Sequence, residues 1–421
     1  MSGVRHYVVV TAAYWAFTLT DGALRMLVVL HFHTVGFTPL AIASLFLLYE
    51  VFGVVTNLVG GYLGARIGLN RTMQIGLALQ VAALGLLAVP VEWLTVPWVM
   101  AAQAMSGIAK DLNKMSAKSA IKLLVPSGER TEEARLYRWI AALTGSKNAL
   151  KGVGFFLGAA LLALVGFRGA VLGMATALAV VGAASLVLLR RDLGRAKAKP
   201  KFRDLLSKSR AVNILSAARF FLFAARDIWF VVALPVFLSE TLGWSFWWSG
   251  GFLAAWIIGY GAVQALAPTV TGLGSAKDAA SLPDGRSAFA WACALALAPA
   301  ALAVVLGLSS SITAALIVGL AAFGFLFAVN SALHSYLIVS YATEEGVSLD
   351  VGFYYMSNAA GRLAGTILSG WMFQAAGGGS AGLARCLWIS TGAIGLAAAL
   401  SLLLPRHGPS ARPVAFGDGG D

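Results

Sequence analysis

Only two cysteines, Cys293 and Cys386, occur in 421 residues, and each stands alone in an apolar stretch. Without a CxxC pair or a His/Cys cluster, neither a disulfide framework nor a zinc site is indicated. Charge is also scarce. Asp, Glu, Lys and Arg make up 12% of the chain, against about 25% in an ordinary soluble protein. That deficit excludes a large soluble core. No nucleophile motif, metal constellation or cofactor fingerprint stands out, so the sequence reads as a non-enzyme that needs no cofactor. The first apolar stretch is too long for a cleavable leader, holds Asp21 and Arg25, and lacks a cleavage-site pattern.

What remains is apolar: 59% hydrophobic residues and a mean hydropathy of +0.81. A membrane-crossing helix needs about 20 consecutive apolar residues. Twelve runs come close, at roughly 7–30, 38–63, 72–92, 96–118, 136–164, 168–190, 211–238, 245–268, 288–308, 311–340, 349–375 and 382–404. The expected fold is an all-α integral membrane protein of two six-helix bundles, 1–190 and 211–404. A basic linker (191–210) joins them and a tail (405–421) of disorder-prone composition follows. An even count puts both termini on one side. Most of the 31 Lys and Arg residues then fall on that side, and only Arg168 and Arg385 on the other, so the termini are expected in the cytoplasm. Topology and the linker's contact with lipid headgroups account for the net charge of +13 without nucleic acid.

The halves echo each other. Aligning TDGALRMLVVLHFHTVGF (20–37) with ARDIWFVVALPVFLSETLGW (225–244) sets Asp21 opposite Asp227. The same order sets Asn57 near Gln264, Asn113 against Asn330 and Lys151 against Arg362. Four correspondences in register favour a 6+6 repeat transporter.

Eight cations lie inside the spans: Arg25, Lys110, Lys114, Lys147, Lys151, Arg219, Arg226 and Arg362. Four carboxylates accompany them: Asp21, Glu50, Asp111 and Asp227. Each costs about 2.5–3.5 kcal/mol at a lipid-exposed helix centre, so they are expected to face one another across one central cavity. They fall on spans one, two, four, five, seven and eleven, and are missing from the interiors of three, six, nine and twelve. Asn113 on span four joins them, and span ten offers Asn330, His334 and Tyr336. In span four the lysines recur every fourth residue. Lys110 and Lys114 lie at membrane depth, and Lys118 and Lys122 are expected to snorkel at the helix end.

Pairing is open at this point. Asp21 and Arg25, at i,i+4, either neutralise each other or serve transport. Asp111 and Asp227 adjoin cations in sequence, but neighbouring side chains diverge on a helix. Glu50 is either a proton-coupling group or the partner of a span-eleven cation such as Arg362. The surplus of cations calls for a dianionic or bis-anionic ligand. G-x-x-x-G spacings in GVGFFLG (152–158) and GRLAG (361–365) read either as sliding joints between halves or as ordinary tight packing.

The loop GGYLGARIGLNRTM (60–73) resembles the cytoplasmic signature loop of the major facilitator superfamily, through Gly61, Leu63, Arg66, Gly68 and Arg71. Ala65 stands where that family usually has an aspartate, which leaves its conformational latch incomplete. The resemblance implies that helices one, four, seven and ten line a cavity flanked by two, five, eight and eleven. YWAFTLTDGALRMLVVLHFH, GVVTNLVGG, GIAKDLNKMSAKSAIKLLVP, TGSKNALKGVGFFLG and KPKFRDLLSKSRAVNILSAAR are similar to the organoarsenical efflux permeases of bacterial arsenic-resistance operons, the ArsJ type. That likeness implies a monomer in the cell inner membrane exporting 1-arseno-3-phosphoglycerate. The substrate would be made from arsenate by a companion glyceraldehyde-3-phosphate dehydrogenase. The alternatives are another organophosphate or phosphate antiporter, and a membrane sensor that does not translocate.

Overall fold

The computed structural model describes residues 2–36, 45–124, 130–189, 209–273, 282–308, 312–343 and 347–405. The linker core (190–208), the tail beyond Pro405 and the start of the second expected span lie outside them. Among the described residues all regular structure is helical. The first half comprises α1 (Ser2–Thr34), α2 (Leu47–Ile67), α3 (Leu69–Leu87), α4 (Val96–Leu124), and α5 and α6, two arms of one run, Arg130–Leu188. The second half comprises α7 (Arg210–Phe230), α8 (Phe246–Ala265), α9 (Gly285–Leu308), α10 (Ile312–Tyr341), α11 (Val347–Ala375) and α12 (Gly379–Ser401). These match the twelve expected crossings. The main difference is α4, which continues to Leu124 and carries Lys118 and Lys122 within the helix.

Local chemistry sets the breaks. Gly166, at φ 71°, separates α5 from α6, and Gly68, at φ 99°, separates α2 from α3. Both sit where a side chain would strain the backbone. Beyond Phe230, α7 loosens into the short turn Ala233–Val236 and a π-helical turn, Phe237–Thr241. Pro235 lies there and has no N–H to give the preceding turn. The Ser209 hydroxyl caps the other end of α7, accepting from the Val212 N–H.

Seven described segments are long and apolar enough to cross a membrane, and one of them, Ala134–Leu188, contains both α5 and α6. Large apolar side chains such as Val180 and Leu186 on α6, Leu297 on α9 and Leu396 on α12 point outward. In water such exposure would be costly, and in lipid it is not. An open apolar groove of about 740 Å³ between α3 and α6 lies on this outer surface, with Arg71 the one charged residue in its lining.

Close helix crossings follow glycines. Gly154 and Gly158 of α5 press on Leu19 and Ala23 of α1, and Gly361 and Gly365 of α11 press on Phe220 and Ala224 of α7. These pairs occupy equivalent places in the two halves. The G-x-x-x-G spacings are therefore fixed joints within each half, not sliding surfaces between them. The seam between halves uses other glycines. On α2 and α11, a Cβ at Gly61 would lie 2.5 Å from the Ser348 carbonyl and one at Gly352 2.7 Å from the Asn57 carbonyl. On α5 and α8, Gly145 meets Gly261 and Ala265.

The seam is closed at one end only. Near the face that holds both termini, one apolar cluster runs across both halves, including Tyr14, Leu77, Ile121, Tyr137, Leu215, Tyr336 and Tyr354. Toward the opposite face each half keeps its own cluster, around Leu24, Phe32 and Val99 in the first and Trp229, Phe237 and Phe323 in the second. The space between the halves thus opens away from the terminal face.

Candidate functional site

Asp21, buried on α1, accepts a hydrogen bond from the Tyr49 hydroxyl at 2.7 Å and faces the Lys151 Nζ at 3.8 Å. Tyr49 is 1% exposed. Its ring carries Arg25 at 4.7 Å and Lys110 at 3.9 Å, so one tyrosine bonds an anion and two cations. Arg25 reaches on to Glu50 at 3.2 Å. Glu50 then bridges the halves, 3.6 Å from the Arg362 guanidinium on α11. Arg362 also binds Asp227 on α7 at 3.1 Å, and Asp227, with no exposed surface, takes Arg226 at 2.6 Å. On α4, Asp111 bonds Lys114 at 2.5 Å and lies 3.8 Å from Lys110. One connected network therefore spans α1, α2, α5, α7 and α11, with the α4 group joined through Tyr49.

Several expected pairings are corrected. Arg25 does not neutralise Asp21. Its guanidinium lies over the Phe46 and Tyr49 rings and is drawn to Glu50. Asp111 and Asp227 do contact their sequence neighbours, because Lys110 and Arg226 are long enough to fold back along the helix. Of the two readings of Glu50, the pairing with Arg362 is present, with Arg25 as a second partner.

Asn113 and Asn330 lie elsewhere. The Asn113 amide faces Gly76 on α3 and donates to the Ala109 carbonyl, while Asn330 donates to the Trp291 and Leu326 carbonyls. Each ties its helix to an outer neighbour, in equivalent places of the two halves. The Tyr336 ring packs at a tilt against that of Tyr137, 5.2 Å between centroids, in the closed end and not in the open space. In the α2–α3 loop, Gly61 belongs to the seam and Gly68 makes the turn. Arg66 donates to the Tyr62 hydroxyl, and Arg71 borders the outer groove.

Lys118 and Lys122 do not snorkel: they are 2% and 4% exposed. The closed seam covers the end of α4 and leaves no route to water. Lys118 donates to the Ser335 hydroxyl of α10 at 3.3 Å and, with Lys114, lies beside the Tyr355 ring. Arg219 is also buried, 3.8 Å from the Phe223 ring centroid and 5.1 Å from that of Tyr354, and close to His334. Lys147 on α5 is reached by the charges of Lys114, Lys151, Arg362 and Lys110, all positive. The sequence reading missed Tyr49, Tyr354, Tyr355 and Ser335. Their only signal was polar or aromatic character in the same turns as the charges.

With Lys118 included, nine cations and four carboxylates lie in the middle of the protein among the described residues, in a space open to one side. Such an arrangement can bind an anion of more than one charge, and the glycine seam lets the halves part and close around it. A family model for the major facilitator superfamily matches residues 8–276. No curated protein sequence is significantly similar to the chain. Among solved structures, the human organic anion transporter TETRAN is similar at 16% identity and a TM-score of 0.71, over 95% of this chain and 99% of that one. The E. coli fucose:proton symporter is similar at 13% identity and 0.69, over 96% and 99%. A bacterial homologue of the iron transporter ferroportin in an outward-facing state gives 12% and 0.68, over 94% and 98%. The two six-helix halves, the seam closed at one end and the match over most of the chain lead to one statement: this multi-pass membrane protein belongs to the major facilitator superfamily.

Proposed function

We propose that the protein exports a bis-anionic arsenylated sugar phosphate, 1-arseno-3-phosphoglycerate, across the cell inner membrane by alternating access. Both termini lie in the cytoplasm in this reading, and the open space faces outward. A glyceraldehyde-3-phosphate dehydrogenase in the cytoplasm would make the substrate from arsenate. The charge balance carries the proposal: nine buried or half-buried cations surround four carboxylates. An uncompensated buried charge costs several kcal/mol, and a ligand with an oxyanion at each end would offset charge on both halves at once. Arginine forks suit a tetrahedral oxyanion, and lysines act as point charges beside them.

The test is uptake into everted membrane vesicles supplied with arsenate, the dehydrogenase and its substrates. Arsenic should accumulate only when every component is present. Equal transport of inorganic phosphate or 3-phosphoglycerate, with no dependence on arsenate, would make the protein an organophosphate antiporter instead.

A further inference from the structure

The cations of the central site are of two kinds. Arg25, Lys110, Lys114, Lys151, Arg226 and Arg362 each lie within 4 Å of a carboxylate. Among the described residues, Lys118, Lys147 and Arg219 have no carboxylate within that distance. They come from α4, α5 and α7, and the charges that reach Lys118 are those of Arg219, Lys147 and Lys114. Lys118 meets Ser335, and Arg219 reaches the Ser331 carbonyl at 3.5 Å, one turn away on α10. Two cations from opposite halves therefore converge on one face of α10.

Polar groups without partners lie at the same place. The Arg219 Nε is buried without a hydrogen-bond partner, and so are both ring nitrogens of His334, which is 1% exposed. A buried polar group normally finds a partner. An imidazole and a guanidinium edge left open beside two ammonium groups ask for an acceptor. Exposure falls along α4 in step: the Lys110 and Lys114 side chains keep 18% and 12%, while Lys118 is sealed.

We infer that Lys118, Arg219 and His334 form an oxyanion subsite at the closed end of the central site, which takes the tetrahedral, doubly charged end of the ligand. The donors arrive from three helices, α4, α7 and α10, and such a spread of directions suits a tetrahedral acceptor better than a flat carboxylate. Closing the terminal face buries Lys118 and Arg219, so an anion carried in with them offsets the cost of sealing. The subsite rests on the reading of the protein as an anion carrier, but not on the arsenical identity of its cargo.

The experiment is titration calorimetry on the purified full chain in detergent, with inorganic phosphate as probe and glycerate as the carboxylate control. Phosphate should bind saturably and glycerate should not. Lys118→Gln and Arg219→Gln should each weaken phosphate binding about tenfold or more, as expected for loss of a charge-assisted hydrogen bond. Lys118→Arg should restore it, and Arg385→Gln, on the opposite face, should leave it unchanged. Undiminished phosphate affinity in both charge deletions would overturn the subsite and leave the anion-carrier reading standing. No binding of phosphate or of 3-phosphoglycerate to the unaltered protein would overturn both. Should the deletions not fold, the charge-conserving Arg219→Lys protein decides, since a point charge cannot replace the fork. Its phosphate affinity must fall, and an unchanged affinity sinks the subsite.

Discussion

In the first half, Asp21 is met by Lys151 from α5 at 3.8 Å and by the neutral Tyr49 hydroxyl. In the second, Asp227 at the equivalent place on α7 is met by Arg362 from α11 at 3.1 Å and by Arg226 at 2.6 Å. One backbone plan thus holds two grades of ion pair. The first half's central cations are lysines except Arg25, which are compact charges on flexible stems. The second half's are all arginines, which are planar forks that hold direction as well as charge. Asp227 consequently fixes its half, whereas Asp21 leaves Lys151 room to move. A ligand would meet a firm surface on one side and an adjustable one on the other.

Deleting each aspartate tests that contrast most strongly. Asp227→Ala leaves two guanidiniums facing each other and should cost about 3 kcal/mol or more of stability. Asp21→Ala should cost about 1–2 kcal/mol, because the Lys151 side chain keeps 24% exposure and Tyr49 is uncharged. Thermal unfolding in detergent measures both, and equal losses would erase the distinction between the halves.

Glycine substitutions come next. Gly361→Ala drives a Cβ into the α7 backbone within one half and should destabilise the fold by about 1–3 kcal/mol. Gly352→Ala meets the Asn57 carbonyl across the seam. It should leave thermal stability nearly intact while transport collapses, because the terminal face can no longer shut. Normal transport by a well-folded Gly352→Ala protein would remove the seam from the mechanism.

Exchanging the cations sharpens the comparison further. Arg226→Lys should lower transport about tenfold, since a point charge cannot replace the fork, whereas Lys151→Arg should stay within about threefold. Vesicle uptake at matched expression gives both values, and the reverse ranking would contradict the assigned roles.

The smallest effect belongs to Glu50, the one carboxylate among the described residues that pairs across the halves. Its pairs are partly exposed and worth about 1 kcal/mol, so Glu50→Gln should shift the open-to-closed ratio about fivefold toward an open terminal face. Thiol labelling at the seam reads that shift. Loss of proton-driven transport with exchange retained would instead make Glu50 the coupling group.

Much of this arrangement was legible in the sequence because a bilayer makes charge expensive. Twelve apolar runs, and charges confined to six of them, could be read directly, as could the correspondence of Asp21 with Asp227 and of Lys151 with Arg362. In the structure those four residues form the equivalent pairs Asp21–Lys151 and Asp227–Arg362. The choice among nearby partners was not legible. Arg25 lies one turn from Asp21 yet bonds Glu50, because the neighbouring rings guide it, and no spacing rule encodes a ring in another helix. Lys118 was misplaced for a different reason. Its burial depends on which end of the molecule is shut, a property of a conformational state and not of a helix. The glycine motifs misled similarly: G-x-x-x-G announces a close crossing without naming the helix that crosses.

The seam itself has a kinetic meaning. Where α2 meets α11 and α5 meets α8, backbone touches backbone through Gly61, Gly352, Gly145 and Gly261. Glycine has no rotamers to lose, so these crossings separate and rejoin without the side-chain entropy that an interlocked apolar interface would surrender each time. Such a hinge has low internal friction. The pace of the cycle is then set by the charges that must be uncovered and covered again, and ionic strength should change turnover more than solvent viscosity does.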